Sequence, residues 1–238
     1  MSLEQLPPLD KTALLLDVDG TLLDFAATPL EVSVPAGLPE ILATVKRRLG
    51  GALGMISGRP VEQVDALFGD IPEAIAGEHG GAVRHSPHGP VERPPLPAPS
   101  ATWLIEAEAL ARTYPGTLLE HKARGFVLHY RQAPEAGAAL RDAISKLIEA
   151  DPGFVLMPAH MAWEVRPRGA DKGSAVTTVM NHPPFTGRLP VFVGDDATDR
   201  DAVRAAKNMG GVGLMVAEAF GDPSGVRAWL ERLAWEAW

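Results

Sequence analysis

Leu14-Leu15-Leu16-Asp17-Val18-Asp19-Gly20-Thr21-Leu22 is the stretch whose reading decides the fold of this chain. Its three leucines form a short apolar run of the kind buried in a central strand, and the run stops at two carboxylates, a glycine and a hydroxyl. In an open α/β sheet ligands bind beyond the carboxyl ends of the strands, so Asp17 and Asp19 belong at the mouth of a crevice. Two acids so close repel each other unless a proton or a cation lies between them. A solvated Asx turn after a strand is the plain alternative, and Asp-Gly alone would not exclude it.

The rest of the chain sets bounds on that crevice. At 238 residues it can bury a large core and carry an inserted module. A formal net charge of -8 argues against a nucleic-acid surface, which needs a clustered Lys/Arg face, yet leaves room for a small anion held by a few local cations. Cysteine is absent, which excludes disulfides, thiolate nucleophiles and Cys-ligated zinc. No run of about 18 apolar residues occurs, so a cytoplasmic protein with no membrane partner is expected.

Outward from the opening strand, the same unit recurs. Leu38, Ile41, Leu42, Val45 and Leu49 have helical spacing, and Gly50-Gly51 stops that helix. A second apolar run, 52–56, ends at Ser57-Gly58-Arg59-Pro60 before a helix carrying Val61, Val64, Leu67 and Phe68; a third, 74–76, ends at Gly77-Glu78-His79-Gly80. Ala82-Val83 reads as the start of a hairpin strand. Strands alternating with helices predict a doubly wound parallel sheet. Six prolines between 87 and 99 then break the pattern and read as a semi-rigid linker. Beyond it, helix, strands at 117–121 and 126–131, helix, and strands at 154–157 and 161–166 predict a small antiparallel sheet covered by two helices. From Gly169 the first pattern resumes, with Lys172 opening a helix, a strand at 190–193, the turn Gly194-Asp195-Asp196-Ala197-Thr198-Asp199, a strand at 211–216 and a closing helix. The expected division is a discontinuous core of residues 1–98 and 168–238 around an α+β cap of residues 99–167.

The string Asp17-Val18-Asp19-Gly20-Thr21-Leu22 resembles the first motif of the haloacid dehalogenase superfamily of phosphohydrolases. Phosphoryl transfer to a carboxylate needs a nucleophile, a proton donor for the leaving alkoxide, cations for the transferring oxygens and a metal. Asp17 is the candidate nucleophile and Asp19 the candidate general acid and base. Thr21 either orients Asp19 or the loop around it, or caps the turn. Ser57 and Gly58 are phosphate-binding candidates, Ser57 being otherwise an N-cap. Lys172 is either a surface lysine or the bridge between phosphate and nucleophile, a cation at a helix start being in want of an anion. Magnesium suits an all-oxygen site of Asp17, the Asp19 carbonyl, Asp195 and Asp196, although Asp196 and Asp199 can equally cap the next helix. Together, Asp-x-Asp-Gly-Thr, Ser, Lys and Gly-Asp-Asp-x-x-Asp make the superfamily's complete set.

A narrower likeness lies in Tyr114-Pro115-Gly116, Leu119-Glu120-His121-Lys122, residues 128–134, Glu164-Val165-Arg166-Pro167-Arg168-Gly169 and Gly77-Glu78-His79-Gly80, all of which resemble the trehalose-6-phosphate phosphatase family. The resemblance implies a Rossmann-like core with a mobile α+β cap, Mg2+ as cofactor, and hydrolysis of trehalose 6-phosphate through an aspartyl-phosphate. A small phosphosugar is the expected partner, and a monomer is expected although the sequence does not reveal the oligomeric state. Lys122 and Glu164 are the cap candidates for sugar binding, or else members of cross-strand ion pairs; Arg59 and His79 are the candidates from the core. Where the family's last motif continues with an acid and then an aromatic, this chain has Arg200 and Val203, which leaves the fine sugar preference open. The rivals are phosphatases of sucrose phosphate or mannosyl-phosphoglycerate, and a silent phosphosugar sensor, which would typically lose Asp19 or the lysine.

Overall fold

A computed structural model describes residues 6–25, 32–122 and 124–236. The chain divides into two compact units, Met1–Pro94 with Asp171–Trp238, and Pro95–Ala170.

In the first unit, β1 (Thr12–Leu16) is the buried apolar strand, followed by α1 (Leu38–Arg48), β2 (Leu53–Ile56), α2 (Val61–Phe68), β3 (Ala74–Gly77) and β4 (Ala82–Arg84). The unit is completed later in the chain by α5 (Lys172–Met180), β9 (Leu189–Gly194), α6 (Asp199–Asn208), β10 (Val212–Met215), α7 (Val216–Ala219) and α8 (Pro223–Trp235). The six strands lie in the order β10-β9-β1-β2-β3-β4 and run parallel except for β4, which folds back on β3. Amphipathic spacing does its expected work: Leu38, Leu42 and Val45 of α1 are buried, and the helix stops where Gly50 and Gly51 take positive φ of 56° and 95°. The strand order reverses at β1, which is bonded to β2 on one side and β9 on the other. That switch point is where an open α/β sheet leaves a crevice. Pairing of Leu16 with Val193, and the bond from the Asp17 N–H to the Val193 carbonyl (2.9 Å), bring the residues after β1 beside those after β9.

The second unit holds α3 (Ala101–Thr113), β5 (Leu118–Lys122), β6 (Gly125–His129), α4 (Gly137–Ile148), β7 (Phe154–Ala159) and β8 (Ala162–Pro167). Its four strands form an antiparallel sheet ordered β5-β6-β8-β7. Ala107 of α3 and Leu140, Ile144 and Ile148 of α4 pack on Phe126, Leu128, Phe154 and Val165. Pro95, Pro97 and Pro99 run within this unit, where Arg124 Nη1 donates to the Leu96 carbonyl at 2.5 Å.

Two expected strands end early. The strand expected over 126–131 stops at His129, because the Ala133 N–H closes a turn onto the Tyr130 carbonyl (3.0 Å), so Arg131 is no strand residue. The strand expected over 211–216 is β10 alone, because the Val216 carbonyl accepts from the N–H groups of Phe220 and Gly221 (2.9 Å each) and starts α7. Among the described residues no helix is long and apolar enough to cross a membrane.

Candidate active site

Each candidate of the first unit stands where a strand gives way to a loop or a helix begins. Asp17 follows β1 and is buried, and its Oδ1 receives the Lys172 Nζ at 2.7 Å. Lys172 also donates to Asp199 Oδ1 at 2.7 Å and is only 3% exposed. It is the first residue of α5, behind an Asp171 cap closed by Ser174, and a cation there works against the helix dipole. Two carboxylates within hydrogen-bond distance offset that cost, so the lysine is an internal clamp and not a surface residue. Thr21 serves Asp17 and not Asp19: its hydroxyl donates to Asp17 Oδ2 at 3.4 Å.

The loop after β9 supplies the other acids. Asp17, Asp195 and Asp199 offer ligand oxygens that all lie within 4.8 Å of one another, which makes an acidic cluster able to hold a metal ion. Asp199 has both oxygens engaged, Oδ1 with Lys172 and Oδ2 with the N–H groups of Asp195 and Asp196 at 3.0 Å each. Asp196 Oδ1 accepts from the Thr198 N–H (2.8 Å), the Thr198 hydroxyl (2.7 Å) and the Asp199 N–H (3.1 Å), a turn ahead of α6, whose N-cap is Thr198 and not Asp196. Backbone comes so near these acids that only glycine fits: a Cβ on Gly20 would strike the Asp195 carboxylate, and one on Gly194 the Asp199 carboxylate.

Burial and mutual repulsion load the cluster with protons. Burial, then Asp195, push the Asp17 carboxyl up to about 7 against the pull of Lys172. Burial, then Asp17, raise Asp199 to about 8, and burial with Asp199 and Asp196 raises Asp195 to about 6. Lys172 moves the other way from what burial alone would do, because Asp17 and Asp199 hold its proton. Once all three give up their protons, three carboxylates against one ammonium leave two uncompensated negative charges, the complement of one divalent cation.

These shifts make a prediction for the metal-free protein. The three acids bind protons more tightly folded than unfolded, so their contribution to stability falls as pH rises from about 4, the unfolded value, through about 8. Lys172, whose proton is also held more tightly in the folded state, has the same sign but acts only at alkaline pH, above its unfolded value of 10.5. Thermal unfolding at intervals between about pH 5 and 8 should show the metal-free midpoint declining and a divalent cation raising it most at the upper end. An equal cation effect at both ends would contradict it.

The second strand end contributes the Ser57 loop. Ser57 does not cap α2, whose N-cap is Pro60 without a side-chain bond; its Oγ accepts from the Arg59 N–H at 3.1 Å. Arg59 in turn grips Asp19, Nε on Oδ2 and Nη2 on Oδ1, both at 2.6 Å. Over this loop sits the Gly77–Gly80 turn, in which Glu78 and His79 adopt positive φ of 53° and 55°. The N–H groups of Glu78 and His79 bond the carbonyls of Arg59 and Ser57 at 3.0 Å each. The His79 ring lies so close that a Cβ on Gly58 would come within 2.8 Å of it, and its charge is felt at Asp196. The first unit thus gathers Asp17, Asp19, Ser57, Gly58, Arg59, His79, Lys172, Asp195 and Asp196.

Lys122 and Glu164 belong to the second unit. Cross-strand pairing of Glu120 with Val127 and of Val127 with Glu164 puts these residues on one sheet face, opposite the helix-packed side chains. Lys122 Nζ lies 3.5 Å from Glu120 Oε1, and Glu120 Oε2 lies 2.8 Å from His129 Nε2. Burial pushes the Glu120 carboxyl up, but His129 and Lys122 win and hold it below the usual carboxylate range. Glu164 is 6% exposed, unusual for an acid on a sheet face away from its unit's helices.

Sequence reasoning left Asp199 undecided between cap and ligand and missed its pairing with Lys172; its place four residues beyond Asp195, at helical spacing, was the available signal. Arg200 is exposed on α6, and Val203 packs against the core of its own unit.

Known proteins carry the same plan. Residues 15–227 match the model of the trehalose-phosphatase family. A probable trehalose-phosphate phosphatase of Sinorhizobium fredii is 38% identical over 209 residues, covering 87% of this chain and 78% of that protein. The trehalose-6-phosphate phosphatase of Escherichia coli K12 is 35% identical over 207 residues, covering 87% and 77%. The C-terminal domain of a C. albicans trehalose-6-phosphate phosphatase superposes with a TM-score of 0.78 at 20% identity, over 94% of this chain and 93% of that one, a likeness of fold. With its family model spanning both units and the acidic switch-point cluster built on it, this chain belongs to the trehalose-phosphatase family.

Proposed function

We propose that the chain is a Mg2+-dependent phosphatase that hydrolyses trehalose 6-phosphate to trehalose and phosphate. The observation that carries this reading is Lys172, buried at a helix start and shared between Asp17 and Asp199 beside the further acid Asp195. Its net charge fits a divalent ion, and an all-carboxylate donor set without His or Cys suits magnesium better than zinc. Asp17, Asp195 and the Asp19 carbonyl would hold it; Asp199, with both oxygens engaged, supports from behind, and Asp196 could add only its Oδ2. When bound there, Mg2+ supplies the positive charge that lets an anionic phosphoryl group approach an anionic nucleophile.

The chain's own groups then divide the work. Asp17 attacks phosphorus and becomes the phospho-carrier, while Asp19 gives a proton to the departing sugar oxygen. Asp19 next takes a proton from water, which attacks the phospho-Asp17 and releases phosphate. The Ser57 hydroxyl, the backbone at Gly58 and the Lys172 ammonium hold phosphoryl oxygens. His79 serves the substrate from the core, beside Arg59, whose guanidinium is engaged by both oxygens of Asp19. Lys122 and Glu164, on the cap of residues 95–170, select the sugar, because one lacking the matching hydroxyls would forfeit the hydrogen bonds that these two groups offer.

Phosphate release from trehalose 6-phosphate, measured with Mg2+ and with excess chelator, tests the reading. Activity should require the metal and exceed that on sucrose phosphate or mannosyl-phosphoglycerate by about 10-fold or more. Equal rates across the panel would remove the trehalose assignment, and binding without phosphate release would make the chain a sensor.

A further inference from the structure

The Arg59 guanidinium is fixed on every side. Nε and Nη2 take the two oxygens of Asp19 at 2.6 Å each, and Nη1 reaches Gln63 Oε1 at 3.4 Å. Its backbone is pinned as firmly: the N–H donates to Ser57 Oγ, the carbonyl accepts from the Glu78 N–H, and a Cβ on Gly77 would lie 2.7 Å from that carbonyl. Arg59 is 8% exposed, whereas the Asp19 side chain is 29% exposed and stands on a turn that fixes its backbone through the Gly20 N–H to Leu23 carbonyl bond (2.8 Å) but not its carboxylate. A bidentate fork sets both the position and the plane of a carboxylate, which a single ammonium cannot do.

From this geometry we propose that Arg59 is a positioning residue for leaving-group protonation, aiming Asp19 and tying that aim to the Ser57 loop. The inference rests on the reading of Asp19 as proton donor. In the step concerned, the bond from phosphorus to the sugar oxygen breaks, the bond from phosphorus to Asp17 forms, and the proton on Asp19 passes to the departing oxygen, leaving Asp19 a carboxylate. Arg59 exchanges nothing. While Asp19 carries the proton one of its oxygens is a donor, so only the other stays in the fork; after transfer both return.

The test compares two kinds of leaving group. A sugar alkoxide needs a proton, whereas p-nitrophenolate departs as a stable anion. In Arg59→Gln the kcat for trehalose 6-phosphate should fall about 10²-fold further than that for p-nitrophenyl phosphate, the loss expected when general acid catalysis goes. Arg59→Lys, which keeps the charge but not the fork, should recover less than about a tenth of the difference, and it carries the test if the glutamine variant does not fold. Adding Arg59→Gln to Asp19→Asn should change the substrate ratio no further, since residues acting as a unit are not additive. Equal losses on both substrates, or an undiminished Arg59 effect in the Asp19→Asn background, would overturn the proposal. Should the wild type hydrolyse p-nitrophenyl phosphate but not trehalose 6-phosphate, the substrate assignment fails by itself, and phenyl against p-nitrophenyl phosphate carries the same comparison for Arg59.

Discussion

Replacing Asp17 with asparagine is expected to lower phosphate release by about four orders of magnitude or more, the scale on which loss of a nucleophile is felt, while the protein stays folded. The fold should survive because the exchange is isosteric and relieves as much as it removes. Asp199 loses the buried carboxylate whose repulsion raises it, and Lys172 keeps Asp199 at 2.7 Å. Phosphate release and thermal unfolding of the same preparation decide the matter. A well-folded Asp17→Asn variant with near-wild-type turnover would dispose of the aspartyl-phosphate route.

Lys172→Met should do the opposite kind of damage, costing about 3–5 kcal/mol of stability at neutral pH as well as activity. Methionine fills much of the volume, so the loss reports charge and not a cavity. Without the ammonium, Asp17 and Asp199 are buried with no cation between them, in a cluster where burial and repulsion already raise both. Because those acids then take up protons, the destabilisation should shrink towards pH 5, and adding Asp199→Asn should restore part of the stability without restoring turnover. Urea unfolding of the single and double variants at the two pH values measures this. A Lys172→Met variant as stable as wild type at neutral pH would mean the acids find another compensation.

What the sequence made legible was where chemistry begins. Asp17, Ser57 and Asp195 each follow a short apolar run, and in a parallel sheet every such run ends on the same edge; position along the chain therefore implied position in space. The alternation of strands and helices in the core also followed, since residues 12–84 and 172–235 repeat one strand-and-helix unit, whereas the order of the strands across the sheet did not. Pairings between loops were not legible. Arg59 and Asp19 are 40 residues apart, and nothing in either motif says that one guanidinium spans both oxygens of the other. Thr21 and Asp199 were misjudged or left open for the same reason: which oxygen a side chain reaches depends on how α5 and α6 pack beside the strand ends, a property of crossovers rather than of local pattern. Edges of elements, at His129 and at Val216, were set by single carbonyls closing turns that hydrophobic spacing does not register.

The glycines pressed against the acidic cluster and the His79 ring bear on how this protein could be altered. Gly20, Gly58 and Gly194 perform no chemistry, yet a methyl group at any of them would collide with Asp195, His79 or Asp199. Redesign thus has little freedom around the acidic cluster, where even silent-looking positions are spoken for. On the polar strand face bearing Glu120, Lys122 and Glu164 the constraint falls on Gly125, the cross-strand partner of Lys122, where a Cβ would strike the Val165 carbonyl, so libraries for a new sugar should vary the three side chains and keep that glycine.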